Sequence, residues 1–93
     1  MEPVSLRSIL RRRPDVRFRV IDGEAVVVRQ SAAEVMVLNE VAARILALAD
    51  GSAPVASWID FLAGEYETGR DALERDVVAF ATELVGEGLL EVA

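Results

Sequence analysis

The sequence predicts an α+β fold, a three-stranded antiparallel sheet followed by three helices. Three observations carry that expectation. Residues 16–21, VRFRVI, alternate with the two-residue period of a strand. Asp22-Gly23 comes next and is the dipeptide of a two-residue hairpin loop, because both positions tolerate positive φ. From Asn39 onward the apolar residues recur at helical intervals of three and four.

Ahead of the strands lies an Arg-rich segment, residues 1–15, set apart from a single domain of residues 16–93. Within it Leu6, Ile9 and Leu10 have i, i+3, i+4 spacing. The first strand puts Val16, Phe18 and Val20 on one face and Arg17 and Arg19 on the other. The second, EAVVVRQ at 24–30, returns from the hairpin. Ser31-Ala32 turns the chain into a third, AEVMVL at 33–38. Counting from the turns pairs Val20 with Ala25, Phe18 with Val27 and Arg19 with Val26. It then pairs Arg29 with Glu34, Val28 with Val35 and Val27 with Met36. Arg29 and Glu34 become cross-strand neighbours of opposite charge. One face collects Phe18, Val20, Ala25, Val27, Met36 and Leu38. The other collects Arg17, Arg19, Val26, Val28, Val35 and Val37. Four outward valines need cover; the N-terminal segment is the expected cover and a second chain the alternative.

Asn39 is a good N-cap for a helix carrying Val41, Ala42, Ile45, Leu46, Leu48 and Ala49, which Asp50-Gly51 stops. Ser52 and Pro54 open a second helix, with Val55, Trp58, Ile59, Leu62 and Tyr66 on one stripe. Asp71 with Glu74 has the spacing of a capping box. It starts a third helix with Leu73, Val77, Phe80, Ala81, Leu84 and Val85 on its apolar stripe. Gly86 and Gly88 end that helix, and LLEV is left as a short extended tail.

Length and composition narrow the function classes. Ninety-three residues, 53% of them hydrophobic, make one compact domain with a modest core. With no Cys and no His, the chain forms no disulfide, no Cys/His metal site and no Ser–His or Cys–His nucleophile pair. All ten basic residues are Arg, so the acid/base candidates are carboxylates and one Tyr. Glu65/Glu67 and Glu74/Asp76 read as solvated acids, and Trp58 as core. No glycine-rich phosphate loop is present. No enzyme and no cofactor are expected. No apolar run reaches the roughly 20 residues of a membrane span, and the arginines after a short mixed stretch are the reverse of a signal peptide. The expected setting is cytoplasmic, without a membrane partner.

Charge is divided along the chain. Residues 1–30 hold seven arginines against four acids, net +3, while residues 31–93 hold three against twelve, net −9. The division could steer a partner of mixed charge, though a solvated acidic half behind an Arg-rich lead explains it as well. A sheet with three helices also suggests a winged-helix-like arrangement, which often serves DNA. The third helix here carries Asp71, Glu74, Asp76, Glu83 and Glu87 against Arg75, with Arg70 just before it, and phosphates would repel it. Nucleic acid is not the expected partner.

A binding module remains. In a three-stranded meander the third strand is an edge unless the tail covers it, and an edge offers unpaired N–H and C=O groups to an extended peptide. The third helix would supply an apolar wall through Val77, Phe80 and Leu84. The alternative is a plain edge with that wall in the core. The rival function is a structural or dimerisation subunit whose outer valines, Val26 and Val28 with Val35 and Val37, form the interface of a homodimer.

Several stretches in order resemble a known family: Leu38-Asn39, AARIL at 42–46, Asp50-Gly51, the Trp58-Ile59…Leu62 helix, Asp76-Val77, Phe80 and LVGEGLL. Together, over roughly residues 16–92, they resemble the pyrroloquinoline quinone biosynthesis protein D (PqqD) family of peptide chaperones, or RiPP precursor peptide recognition elements. The resemblance implies a non-catalytic protein that binds the leader of a ribosomally made precursor peptide. It implies presentation to a modifying enzyme, a radical SAM protein in the quinone pathway. It further implies that the leader adds as a strand beside Ala33, Glu34, Val35, Met36, Val37 and Leu38. Arg75, Asp76, Val77, Phe80 and Leu84 form the helix side. Leu38 and Asn39 hold the strand–helix junction, and Asp76 is either a groove residue or a helix-surface acid. QSAA at 30–33 stands where quinone-pathway members are expected to have a Pro-Glu turn. With the Arg-rich lead, this leaves other systems open, such as lasso-peptide or other radical SAM pathways.

Overall fold

Residues 3–93 are described by the structure, a computed structural model. The chain opens with β1 (Ile9–Arg12) and continues into a meander of β2 (Val16–Ile21), β3 (Glu24–Arg29) and β4 (Glu34–Leu38). Helix α1 (Glu40–Leu48) follows, then β5 (Asp50–Pro54), α2 (Val55–Ala63), α3 (Arg70–Gly86) and β6 (Leu90–Val92). The strands form two antiparallel sheets, ordered β2-β3-β4 and β5-β1-β6. The fold is α+β, but the expectation of one sheet followed by three helices is corrected: a second sheet ties the two ends of the chain together.

Local chemistry accounts for the meander. Asp22 and Gly23 adopt φ of 52° and 82°, the paired positive values of a type I′ turn whose twist suits a hairpin. From that turn the ladder runs in the predicted register, Val20↔Ala25, Arg19↔Val26 and Phe18↔Val27. The next ladder pairs Val27↔Met36, Val28↔Val35 and Arg29↔Glu34. On the inner face Ala25 and Val27 are fully buried, and Phe18, Met36 and Leu38 pack partly against the core. Val20, beside the hairpin, remains half exposed. The third strand starts at Glu34 rather than Ala33. A 3-10 turn over Gln30–Ala32 ends with Ala33 in the left-handed region at φ 52°, and that conformation is incompatible with a ladder.

The N-terminal segment does not cover the outer valines. Its helical spacing gives way to strand pairing, because Ile9–Arg12 lie between β5 and β6 as the central strand of the second sheet. Leu10 is fully buried there. Ser52 and Pro54 are likewise not in a helical first turn. They belong to β5, and the first backbone N–H groups of α2 are instead satisfied from β1's approach, Val55 N–H donating to Ser8 O and Ala56 N–H to Leu6 O, each at 2.9 Å. The LLEV tail becomes β6, paired with β1 through Leu10↔Val92 and Arg12↔Leu90.

Asn39 caps α1 as expected, its Oδ1 accepting from Ala42 N–H at 3.0 Å. Two other helix-end readings are corrected. α2 stops at Ala63, so Tyr66 lies beyond it and packs from the following loop. The Asp71–Glu74 box does not form: α3 begins at Arg70 after Gly69 with no side-chain cap, and Glu74 faces Arg70 at 3.6 Å. The apolar stripes behave as read. Ile45 and Leu46 of α1, Trp58, Ile59 and Leu62 of α2, and Leu73, Val77 and Ala81 of α3 meet in one core with Leu10 and Leu90 of the second sheet.

Arg12 joins the two sheets to α1. Its Nη1 donates to the carbonyls of Leu46 at 2.6 Å and Ala49 at 3.2 Å, at the helix C-terminus where carbonyls lack intrahelical partners. The guanidinium carbon stands 5.5 Å from the centre of the Phe18 ring, a cation–π contact with the meander. Arg12→Ala is expected to lower the unfolding free energy by about 1–3 kcal/mol in urea denaturation. Arg12→Lys is expected to recover only part, since an ammonium cannot span the same carbonyls over the ring.

Candidate functional site

The hairpin geometry decides which backbone groups of β4 are free. A two-residue loop closes on a hydrogen-bonded pair, here Ile21 and Glu24. By alternation along β3, Val26 and Val28 exchange their bonds with β2. Ala25, Val27 and Arg29 then point theirs at Leu38, Met36 and Glu34. Val35 and Val37 of β4 therefore direct N–H and C=O away from the sheet. β4 has no further strand beside it. The other edge, β2, is blunted by Arg17 and Arg19, a common protection against unwanted pairing.

Beside the free edge runs an open groove of about 660 Å³ lined by Met36, Leu38, Glu83, Leu84, Gly86 and Glu87. Met36 and Leu38 reach it from the inner face of β4, and the remaining residues come from the C-terminal end of α3. Arg29 ties the two sides together. Its Nη1 donates to Glu34 Oε1 at 3.2 Å and to the Glu87 carbonyl at 3.0 Å. Gly88 follows with φ +77°, and a Cβ there would lie 3.2 Å from the Arg29 guanidinium carbon, so this close approach suits glycine.

The groove gathers some of the sequence-predicted residues and not others. Met36, Leu38 and Leu84 line it, and Glu34 lies at its Arg29 end. Val35 and Val37 carry the free backbone, while their side chains stand outward with 68% and 61% exposure. Ala33 precedes the strand. Val77 is fully buried in the core and Phe80 is half buried, one turn before Leu84; Arg75 and Asp76 are exposed on α3, outside the groove lining. Arg29, Glu83, Gly86 and Glu87 were not among the residues that sequence reasoning selected. Arg29 gave one usable signal, its cross-strand pairing with Glu34. The glutamates looked like ordinary solvated acids.

The turn leading into β4 is clamped from the start of β2. Gln30 N–H donates to the Asp15 carbonyl at 2.9 Å, and the Ser31 hydroxyl donates to the Asp15 carboxylate. The Ser31 hydrogen bond, helped by Arg13 and Arg29, holds the Asp15 carboxyl below its ordinary value of 3.8. On the opposite side of the sheet, Val26 and Val28 are half buried. With Arg17, Arg19 and Ile21 they line a shallow hollow of about 410 Å³. Among the described residues no helix is long and apolar enough to cross a membrane.

Fold and site together define a small α+β module in which an edge strand of the meander, β4, runs beside a helix-walled groove. The family model described as Coenzyme PQQ synthesis protein D (PqqD) matches residues 24–90, and the chain belongs to that family. Two proteins called PqqA binding protein, from two strains of Rhodopseudomonas palustris, are 41% and 43% identical to it over 56 residues. Each alignment takes in 60% of this chain and 55% of the relative, so the chain spans about half the length of the curated relatives it matches. Among solved structures, TbiB1 in complex with the TbiA(beta) leader peptide superposes with a TM-score of 0.78 at 27% identity. That match covers 87% of this chain and 94% of TbiB1. A lasso peptide synthetase B1 complexed with the leader peptide superposes with a TM-score of 0.75 at 33% identity, over 90% of this chain and 99% of that one.

The clamp predicts a pH response with a definite sign. A carboxyl whose folded value is depressed contributes stability above its unfolded value, 3.8, and loses it as pH falls through the lower folded value. An NMR titration should find the Asp15 carboxyl midpoint below 3.8, and Ser31→Ala should move it back up. An unmoved midpoint in Ser31→Ala would remove the hydroxyl as the cause.

Proposed function

We propose that the protein is a non-catalytic peptide chaperone. It captures the leader of a ribosomally synthesised precursor peptide as an added strand on β4 and presents it to a modifying enzyme. The observation that carries this reading is the pair of outward backbone groups at Val35 and Val37 beside a groove whose floor is apolar. The likeness to two structures solved with leader peptides supports it, as does the name of the Rhodopseudomonas relatives. Along the strand Glu34, Val35, Met36, Val37 and Leu38, backbone pairing at Val35 and Val37 supplies affinity that depends little on side chains, and the groove supplies selection. Leu84 forms the apolar wall, with Phe80 one turn before it and Val77 behind in the core; Ala33, Arg75 and Asp76 lie outside the groove lining.

The enzyme served is a radical SAM protein or another peptide-modifying enzyme, in quinone synthesis or a related pathway such as lasso-peptide formation. Capture and presentation then take place in the cytoplasm. Residues 16–93 act as one domain, with β1 folded into it. So small a contact implies a dissociation constant of roughly micromolar or somewhat below, about 8–10 kcal/mol.

Proline scanning tests the capture mode, using a synthetic leader from a short precursor gene beside this one. Val35→Pro and Val37→Pro each delete an outward N–H without deleting core volume. Each should weaken binding at least about tenfold in a calorimetric titration while leaving the far-UV circular dichroism intact. Met36→Pro should instead disrupt the sheet, because that N–H bonds to β3. Undiminished binding by both edge variants would end the strand-addition reading.

A second reading is favoured by one observation, the uncovered valine face. A homodimer would bury Val26, Val28, Val35 and Val37 together. Light scattering decides it. A dimer that Val28→Glu converts to monomer would establish the valine face as the interface, and a monomeric wild type would dismiss it.

A further inference from the structure

Glu83 and Glu87 line the groove one helical turn apart, at the end of α3 where the helix dipole is negative. Like charges at i, i+4 repel, and no basic residue lies in the last turn to offset them. Among the described residues neither carboxylate has an ion-pair partner: the nearby Arg29 gives its Nη1 to the Glu34 carboxylate and the Glu87 backbone carbonyl. Arg70 and Arg44, by contrast, are paired with acids elsewhere. Two carboxylates without an ion-pair partner thus stand beside the apolar floor of Met36, Leu38 and Leu84.

We infer that the groove selects peptides carrying a basic residue, Lys or Arg, on the strand face that points into it, next to an apolar residue on that same face. The inference rests on the strand-addition reading and names the chemistry of the guest. A strand added to β4 alternates its side chains in step with the sheet. Its residues at i and i+2 project to the Met36 and Leu38 side, into the groove, while i+1 projects beside the outward valines. One groove-facing apolar side chain covers Met36, Leu38 and Leu84. A groove-facing cation two residues away meets Glu83 and Glu87, relieving both their mutual repulsion and the unfavourable end of the helix dipole. Arg29, on β3, donates to the Glu87 carbonyl and holds that backbone against the sheet. The guest's outward residues meet no acid of β4 and are expected to show no charge preference.

A displayed library of random twelve-residue peptides, selected on the intact protein, tests this without a known leader. The same library is selected on Glu83→Lys/Glu87→Lys and on Val37→Pro. Both glutamates are exposed, and lysine suits a helix C-terminus, so the charge-reversed protein should fold as well as wild type, as thermal unfolding will verify. Wild type should enrich peptides with Lys or Arg at alternate positions beside an apolar residue, and the charge-reversed protein should enrich Asp or Glu at those positions. A selected basic peptide should bind the charge-reversed protein about three- to tenfold more weakly, with the gap narrowing as salt is raised. Enriched peptides that Val37→Pro fails to bind, but that show no charge preference on either glutamate background, would overturn this inference and leave strand addition standing. Peptides that bind Val37→Pro undiminished, or no enrichment at all, would overturn both.

Discussion

The organisation of the site depends on one small constraint, the two-residue turn at Asp22-Gly23. Because both residues hold positive φ, the hairpin closes on Ile21 and Glu24 and no other pair. Alternation then propagates through two ladders. It dictates that β3 spends the backbone groups of Ala25, Val27 and Arg29 on β4, and that Val35 and Val37 keep theirs. The same parity sends Met36 and Leu38 inward to the groove and the four valines outward. A shift of one residue would exchange every one of these roles.

The rest of the fold holds that edge in place and leaves it uncovered. The second sheet brings both ends of the chain together beside α3. Arg12 fastens the sheet to the end of α1 and to Phe18. Asp15 pins the turn that leads into β4, and Arg29 sets the distance between that strand and the end of α3. These are polar contacts at the margins of an apolar core. The groove between β4 and α3 is left open, and the C-terminal strand that could have covered it, β6, pairs with β1 instead.

On the proposed reading, recognition calls for no reactive side chain: a guest strand completes the outward backbone groups of Val35 and Val37, and discrimination is left to the groove walls. On this view the acidity of the chain's second half has a local meaning. Most of its carboxylates are solvated, but the two at the end of α3 face the groove, where their charge can act on a guest.

The sequence by itself determined the meander, its register, the inner and outer faces and the three helical stripes. All of these are consequences of short-range periodicity and turn chemistry, which neighbouring residues settle among themselves. It also carried the family resemblance, through residues at the strand–helix junction and along α2 and α3. Only the tertiary structure decided that Ile9–Arg12 is a strand, because its partners, Asp50–Pro54 and Leu90–Val92, lie far away along the chain and leave no local period. The same reason hid the helix entry at Val55, whose N–H is satisfied from Ser8, and the joining of Arg29 to Glu87. The groove walls are assembled from residues some fifty positions apart, and that distance only folding removes.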